Sequence, residues 1–241
     1  MARSAAILVL ALLLCISLVR PQEVEDESEF TYVEGDERGP EHWGELHQNW
    51  SACGKGQNQS PIDIVTQDAR VYPDLGRLRR IYHPANATLL NRGHDIMIKW
   101  STGGGSIEIE GKRYRLNQGH WHTPAEHTVN GRRYPLELHL VHESEDGEIA
   151  VVSILYTYGR PDTFLAELRE EIASIADKQP PEKAVGLINA KHIKIGSRKY
   201  YRYIGSLTTP PCTEGVIWNI VHKVRTVSQE QVRALHVAIH D

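Results

Sequence analysis

The chain has no excess of basic charge: 27 Lys and Arg stand against 31 Asp and Glu, which leaves −4 with His neutral. That balance excludes a large basic face for nucleic acid. Internal repeats, low-complexity tracts and extended blocks of like charge are also missing, so the chain is not disordered, collagenous or coiled coil. Proline and glycine, at 12 and 19, are scattered along the length, and no interdomain linker gathers them. No stretch approaches about eighteen consecutive apolar residues except at the extreme N-terminus, so the mature chain is expected to have no membrane span. What is there, 40% apolar and 24% charged residues, is an ordinary globular composition that can bury a core of full domain size.

Met1 to Arg20 has one early cation, Arg3, followed by an apolar run from Ala5 to Val19. A core of about fifteen residues falls short of the ~20 that span a bilayer, and the acidic run Glu23-Val24-Glu25-Asp26-Glu27 follows at once. This reads as a secretory signal peptide over 1–21 and an acidic leader over 22–29, with the domain occupying 30–241. Cleavage removes Arg3 and Arg20 but no acid, which leaves the mature chain at about −6. The expected destination is the secretory pathway, either outside the cell or in a secretory-route organelle such as the chloroplast.

Cysteine is scarce as well, with three in the chain. Cys15 leaves with the signal peptide, and Cys53 and Cys212 remain. In an oxidising compartment these two either pair, closing a loop of roughly 160 residues worth on the order of 5 kcal/mol, or stay as two buried thiols. Asn49, Asn58 and Asn86 begin glycan acceptor sequons, of which Asn86, near polar turn residues, is the favoured one.

About 210 residues after the leader suit one domain, and its signals are mainly β. Short strands are predicted over Thr88–Trp100, Ser106–Ile109, Tyr114–His122, Leu136–His142, Ile149–Tyr156, Tyr200–Ser206 and Val216–Val224, punctuated by Gly, Pro, Asn and Asp. One helix is predicted over Asp162–Ala176, where Leu165, Leu168, Ile172 and Ile175 share a face. A second begins at the capping box Ser228/Gln231, with Val227 and Val232 as a staple.

The chemistry concentrates in two of these strands. A period of two puts Gln118, His120 and His122 on one face of the first. The same rule aligns Glu137, His139 and Val141 in the second and turns Leu138, Leu140 and His142 the other way. If the strands are neighbours, three imidazoles converge. Three neutral imidazoles suit Zn²⁺ and leave its fourth tetrahedral position for water, as in a catalytic site. Gln118 and Glu137, each two residues from a histidine on its own face, could hold an imidazole N–H and fix its tautomer.

Seven motifs in order carry a family resemblance: Gly39-Pro40-Glu41-His42-Trp43, Gln59-Ser60-Pro61-Ile62-Asp63-Ile64, Asn91-Arg92-Gly93-His94, His120-Trp121-His122, Glu126-His127-Thr128-Val129, Glu137-Leu138-His139-Leu140-Val141-His142 and Gly205-Ser206-Leu207-Thr208-Thr209-Pro210-Pro211. From about Phe30 to its end the chain resembles the alpha-class carbonic anhydrases, in the form of the plant branch. The resemblance implies a single domain around a large, mostly antiparallel twisted central sheet with a few short peripheral helices. It implies reversible hydration of CO2 to bicarbonate and a proton by zinc-bound hydroxide. In that class the zinc-bound water ionises near pH 7.

Residue by residue, the resemblance implies His120, His122 and His139 as zinc ligands, with Gln118 behind His120 and Glu137 behind His139. Thr208 matches the gatekeeper whose hydroxyl donates to an ionised Glu126 and so accepts from the nucleophile. Val141, Val151, Leu207, Thr209 and Trp218 match the substrate pocket, His94 the proton shuttle and Tyr32 the residue that orders the shuttle waters. Arg92 stands where many relatives carry a polar Asn. Cys53 and Cys212 coincide with the disulfide of secreted members, and Ser60-Pro61 and Pro210-Pro211 occupy places where the family tends to have cis peptide bonds. His127 and His142 are expected in buried hydrogen-bonding roles outside the ligand set.

The implied state is a monomer or homodimer acting on a small molecule. The family normally continues past a point like His240-Asp241 into a segment that adds a strand and an acceptor for the second paired ligand, here His122. Its loss is expected to loosen that histidine. The competing function is a non-catalytic binding or storage protein of the kind found among plant relatives. Those usually lose a ligand histidine, and this chain has all three.

Overall fold

A computed structural model of the chain describes residues 29–176 and 182–239. The expected signal peptide, the leader up to residue 28 and the last two residues lie outside them. In chain order the strands are β1 (Asp63–Ile64), β2 (Arg79–Tyr82), β3 (Pro84–Asn91), β4 (Ile96–Trp100), β5 (Gly105–Ile109), β6 (Lys112–His122) and β7 (Thr128–Val129). Then come β8 (Arg132–Arg133), β9 (Leu136–Ser144), β10 (Ile149–Tyr158), β11 (Glu182–Asn189), β12 (Tyr200–Ser206), β13 (Glu214–Val221) and β14 (Arg225–Val227). The helices are short: α1 (Trp43–Leu46), α2 (Ala52–Lys55), α3 (Thr163–Glu167), α4 (Arg169–Ile175) and α5 (Gln229–Ala238).

The expected mainly β architecture is what forms. One large twisted sheet runs β11-β3-β4-β6-β9-β10-β13-β12, with β5 and β14 joining β6 and β10, and β2 extending β5. Its pairs are antiparallel except β10 with β13 and β10 with β14. The central strands are buried on both faces. Leu138, Leu140, Val152 and Ile154 pack on one side with Leu165, Leu168, Ile172 and Leu235 of the helices. On the opposite face, Val151, Leu207, Trp218 and Ile220 form a second cluster beside the histidines. Truncating a buried leucine such as Leu138 to Ala costs about 2–5 kcal/mol, because the removed methyls leave a cavity between well-packed layers.

Gly119 sits where β6 crosses close to β9. A Cβ there would lie 2.8 Å from Leu140 Cδ2 and 3.2 Å from the His139 carbonyl, so a larger residue would push the two site-bearing strands apart. The expected single strand Thr88–Trp100 is instead a hairpin of β3 and β4. Gly93 turns the chain at φ +88, the Asn91 side chain accepts from Gly93 N at 2.9 Å, and Arg92 N donates to Asp95 O at 2.9 Å. Glycine is the residue that takes this left-handed conformation without a Cβ penalty.

The single helix expected over Asp162–Ala176 is also divided, with Leu168 at φ −99, ψ 1 between α3 and α4. A tighter bond from Leu168 N to Leu165 O at 3.2 Å makes the joint, and Leu165, Leu168, Ile172 and Ile175 still all face the core. Asp162 caps α3 by accepting from Phe164 N and Leu165 N at 2.9 and 3.0 Å. The capping box of α5 forms as expected, Ser228 N donating to Gln231 Oε1 and Gln231 N to Ser228 Oγ, both at 3.2 Å. Cys53 and Cys212 are disulfide-bonded with their Cα atoms 5.0 Å apart. Ser60-Pro61 and Pro210-Pro211 are cis, as is Thr123-Pro124. Asn86 is exposed, but within strand β3 and not in a turn.

Candidate metal centre

The register of β6 against β9 is what assembles the site. His120 pairs with His139 and His122 with Glu137, while Gln118 lies opposite Val141. Because both strands alternate, all six side chains emerge on the same face. The imidazole centroids of His120, His122 and His139 lie 4.6–5.2 Å apart, and one ligand atom from each falls within 4.8 Å of the others.

For His120 and His139, polar neighbours select which ring nitrogen is kept for the centre. His120 Nδ1 faces Gln118 Oε1 at 2.8 Å, which leaves Nε2. His139 Nε2 faces Glu137 Oε1 at 2.9 Å, which leaves Nδ1. His122 Nε2 is buried without a hydrogen-bond partner, 3.5 Å from Glu126 Oε2, itself buried and unpartnered. An orphaned buried nitrogen aimed at two other imidazoles and a carboxylate fits a bound cation and is costly without one. Burial pushes His120 well below its ordinary pKa and lowers His122 to about 3. Both rings therefore stay neutral, the protonation state a zinc ligand requires.

Glu137 is fully buried. Burial alone would raise its pKa, but the adjacent His127 and His139 hold it well below the usual carboxylate range. Its Oε2 accepts from the backbone N–H of Glu126 and of His127, both at 2.9 Å. Its Oε1 receives His127 Nδ1 at 2.7 Å and Ser153 Oγ at 2.5 Å besides His139. His127 Nε2 then meets Tyr203 Oη at 2.7 Å, and Tyr203 Oη meets Ser60 Oγ at 2.8 Å. With its Nδ1–H given to Glu137, His127 accepts from Tyr203. From the sequence His139 is the one expected partner of Glu137, and the further links to Tyr203 and Ser60 come from the fold. No local pattern marks them, since they lie 66 and 77 residues from Glu137 along the chain. His142, on the opposite face as expected, bonds Tyr82 Oη at 2.8 Å.

The expected pocket residues come together. Val141 pairs with Val151 across β9 and β10, and Val151 with Trp218 across β10 and β13. The Trp218 ring lies 4.8 Å from that of His139. Leu207, Thr208 and Thr209 are buried beside them, and Thr209 Oγ1 is buried with no hydrogen-bond partner. A neighbouring cavity of about 310 Å³ is lined by Gln118, Val141 and Leu207 together with Lys99 and Arg92. His94 and Tyr32 meet with ring centroids 5.3 Å apart.

A wide, mostly antiparallel sheet carrying three buried histidines on one face, each positioned by a hydrogen bond or left aimed at the others, defines a carbonic-anhydrase-type protein. Residues 38–241 match the model of the eukaryotic-type carbonic anhydrases, and the chain belongs to that family. It is 58% identical over 219 residues to alpha carbonic anhydrase 7 of Arabidopsis thaliana, covering 91% of this chain and 80% of that one. It is 45% identical over 234 residues to dioscorin DB3S of Dioscorea polystachya, covering 96% and 87%. Among solved structures, a dioscorin complexed with ascorbate superposes with a TM-score of 0.86 at 43% identity, covering 88% of this chain and 89% of that one. The alpha-carbonic anhydrase of Thermovibrio ammonificans superposes with a TM-score of 0.78 at 34% identity, covering 87% and 90%.

Proposed function

We propose that this protein is an active zinc carbonic anhydrase that interconverts CO2 with bicarbonate and a proton. The observation that carries the reading is the buried triad, with one ligand atom from each ring within 4.8 Å of the others, together with a saturated Glu137 behind His139. His120 Nε2, His122 Nε2 and His139 Nδ1 would hold the ion. When bound, zinc acts as a Lewis acid that makes a water ionisable at neutral pH.

The remaining steps belong to the side chains. The Thr208 hydroxyl would donate to the Glu126 carboxylate, and its oxygen would then be an acceptor that orients the attacking oxygen toward substrate. Val141, Val151, Leu207 and Trp218 offer an apolar wall to a linear, uncharged CO2, and Thr209 offers a hydroxyl at its edge. His94 carries the product proton outward, a task suited to an imidazole, and Tyr32 orders the water between. We further infer that the chain enters the secretory route, which agrees with the Cys53–Cys212 disulfide, and that Asn86 is its glycan acceptor.

Zinc content and CO2 hydration, measured together on the purified chain, test this reading: one zinc per chain with turnover supports it. The likeness to dioscorins favours a second reading, a non-catalytic binding or storage protein. A chain that holds zinc at full occupancy yet hydrates no CO2 would establish that second reading.

A further inference from the structure

Beside the triad, the β3–β4 turn contains a charged pair that the mechanism above does not use. Arg92 Nε donates to Asp95 Oδ1 at 2.8 Å, and its Nη2 donates to Oδ2, so the guanidinium grips the carboxylate with two parallel bonds. The two side chains are 4% and 0% exposed. The turn does not need this grip to close, because Gly93 and the bond from Arg92 N to Asp95 O already reverse the chain. A buried ion pair also adds little net stability once its desolvation is counted. What two parallel bonds do supply is orientation, since a carboxylate held at both oxygens cannot rotate.

The group that faces this fixed carboxylate is His94. Its Nε2 lies 3.4 Å from Asp95 Oδ2, and its side chain is 3% exposed. The imidazole is enclosed on its other sides by Phe30 and Tyr32, with ring centroids 5.6 and 5.3 Å away. These two are held in turn by Trp43, at 5.3 Å from each. Burial would raise the Asp95 pKa, but Arg92 and then His94 keep it well below the ordinary carboxylate value. Arg92 offsets the Asp95 charge, so the pair presents a fixed acceptor to the ring without net charge.

We propose that Asp95, locked by Arg92, is a positioning residue for His94. It holds the ring with Nε2 turned toward the carboxylate. The inference rests on the assignment of proton export to His94. It predicts that Asp95 acts on turnover only through that ring.

Two measurements on the full chain test it, using Asp95→Asn, Arg92→Gln/Asp95→Asn, His94→Ala and His94→Ala/Asp95→Asn. The double neutral variant is included because Asp95→Asn alone leaves a buried guanidinium uncompensated, which can unfold the turn. The first readout needs no activity. In ¹⁵N-histidine spectra, with and without zinc, the wild-type His94 ring shows one dominant Nε2–H tautomer. Asp95→Asn and Arg92→Gln/Asp95→Asn, both with His94 intact, lose that dominance.

The second readout is CO2 hydration in weak buffer. Neutralising Asp95 lowers kcat by about tenfold or more and leaves kcat/KM within about twofold, and concentrated imidazole restores kcat. In the His94→Ala background, removing Asp95 has no further effect. An unchanged tautomer in both variants overturns the proposal, as does an equal loss of kcat whether or not His94 is present. A zinc-loaded wild type that hydrates no CO2 refutes the proposed function, and the tautomer measurement then decides the placement of His94 by itself.

Discussion

Replacing Glu137 by Gln would change one atom in a site where only donors converge. Two backbone N–H groups point at Oε2, and His127, His139 and Ser153 point at Oε1. An amide NH2 placed at either position must face N–H or O–H groups, so at least two donors lose their acceptor whichever way it flips. Each lost bond to a charged acceptor is worth about 1.5–3 kcal/mol in stability. With its Nε2–H no longer held, His139 is free to rotate, and zinc affinity should fall by about 10–100-fold or more, the usual cost of losing a group that orients a ligand. Chelator competition gives the zinc Kd, and thermal unfolding of the metal-free protein gives the stability change. A variant that binds zinc within about threefold of wild type and melts at the same temperature would refute the role given to Glu137.

His139→Ala should abolish stoichiometric zinc and hydration together, since two imidazoles and water make a poor zinc site. Metal analysis after dialysis at nanomolar free zinc checks this, and one retained zinc per chain would contradict the ligand assignment. Reducing Cys53–Cys212, which spans 159 residues, should cost on the order of 5 kcal/mol and lower Tm by about 10 °C or more. Calorimetry with and without reductant reads the shift, and both thiols alkylating in the native, unreduced protein would rule the bond out. The metal-free protein should lose stability as pH falls from about 6.5. His120 and His122 stay neutral when folded, with His122 at about 3. The unfolded chain therefore binds the extra protons, and each such histidine contributes a slope of ~1.4 kcal/mol per pH unit in that window. Glu137, held below its unfolded value, adds stability that is complete above that value and declines only as pH drops beneath it. A flat urea midpoint between pH 6.5 and about 4 would contradict the neutral, buried assignment.

Which residues share a face was legible along the chain itself. In Gln118–His122 and Glu137–Val141 a strand's period of two is a local property of the backbone, so the candidate ligands and their flanking acceptors could be named before any pairing was known. The same locality explains the readable capping box at Ser228 and the apolar face of Asp162–Ala176. The edge strand β11 escaped notice because it is largely exposed and Gly186 breaks its register, so no buried face leaves a repeating pattern. The strand predicted over Thr88–Trp100 ran through a turn that a single Gly93 introduces.

Only the tertiary structure decided that β6 lies beside β9 with His120 opposite His139, since pairing and register depend on contacts between distant segments. Tertiary packing likewise brought Tyr203 and Ser60 to His127, and so saturated Glu137. It also enclosed His94 between an N-terminal aromatic cluster and the Arg92–Asp95 pair. Hydrogen bonding reaches about 3 Å and takes no account of separation along the chain, so Tyr203 and Ser60 join the His127–Glu137 network only once the sheet has closed.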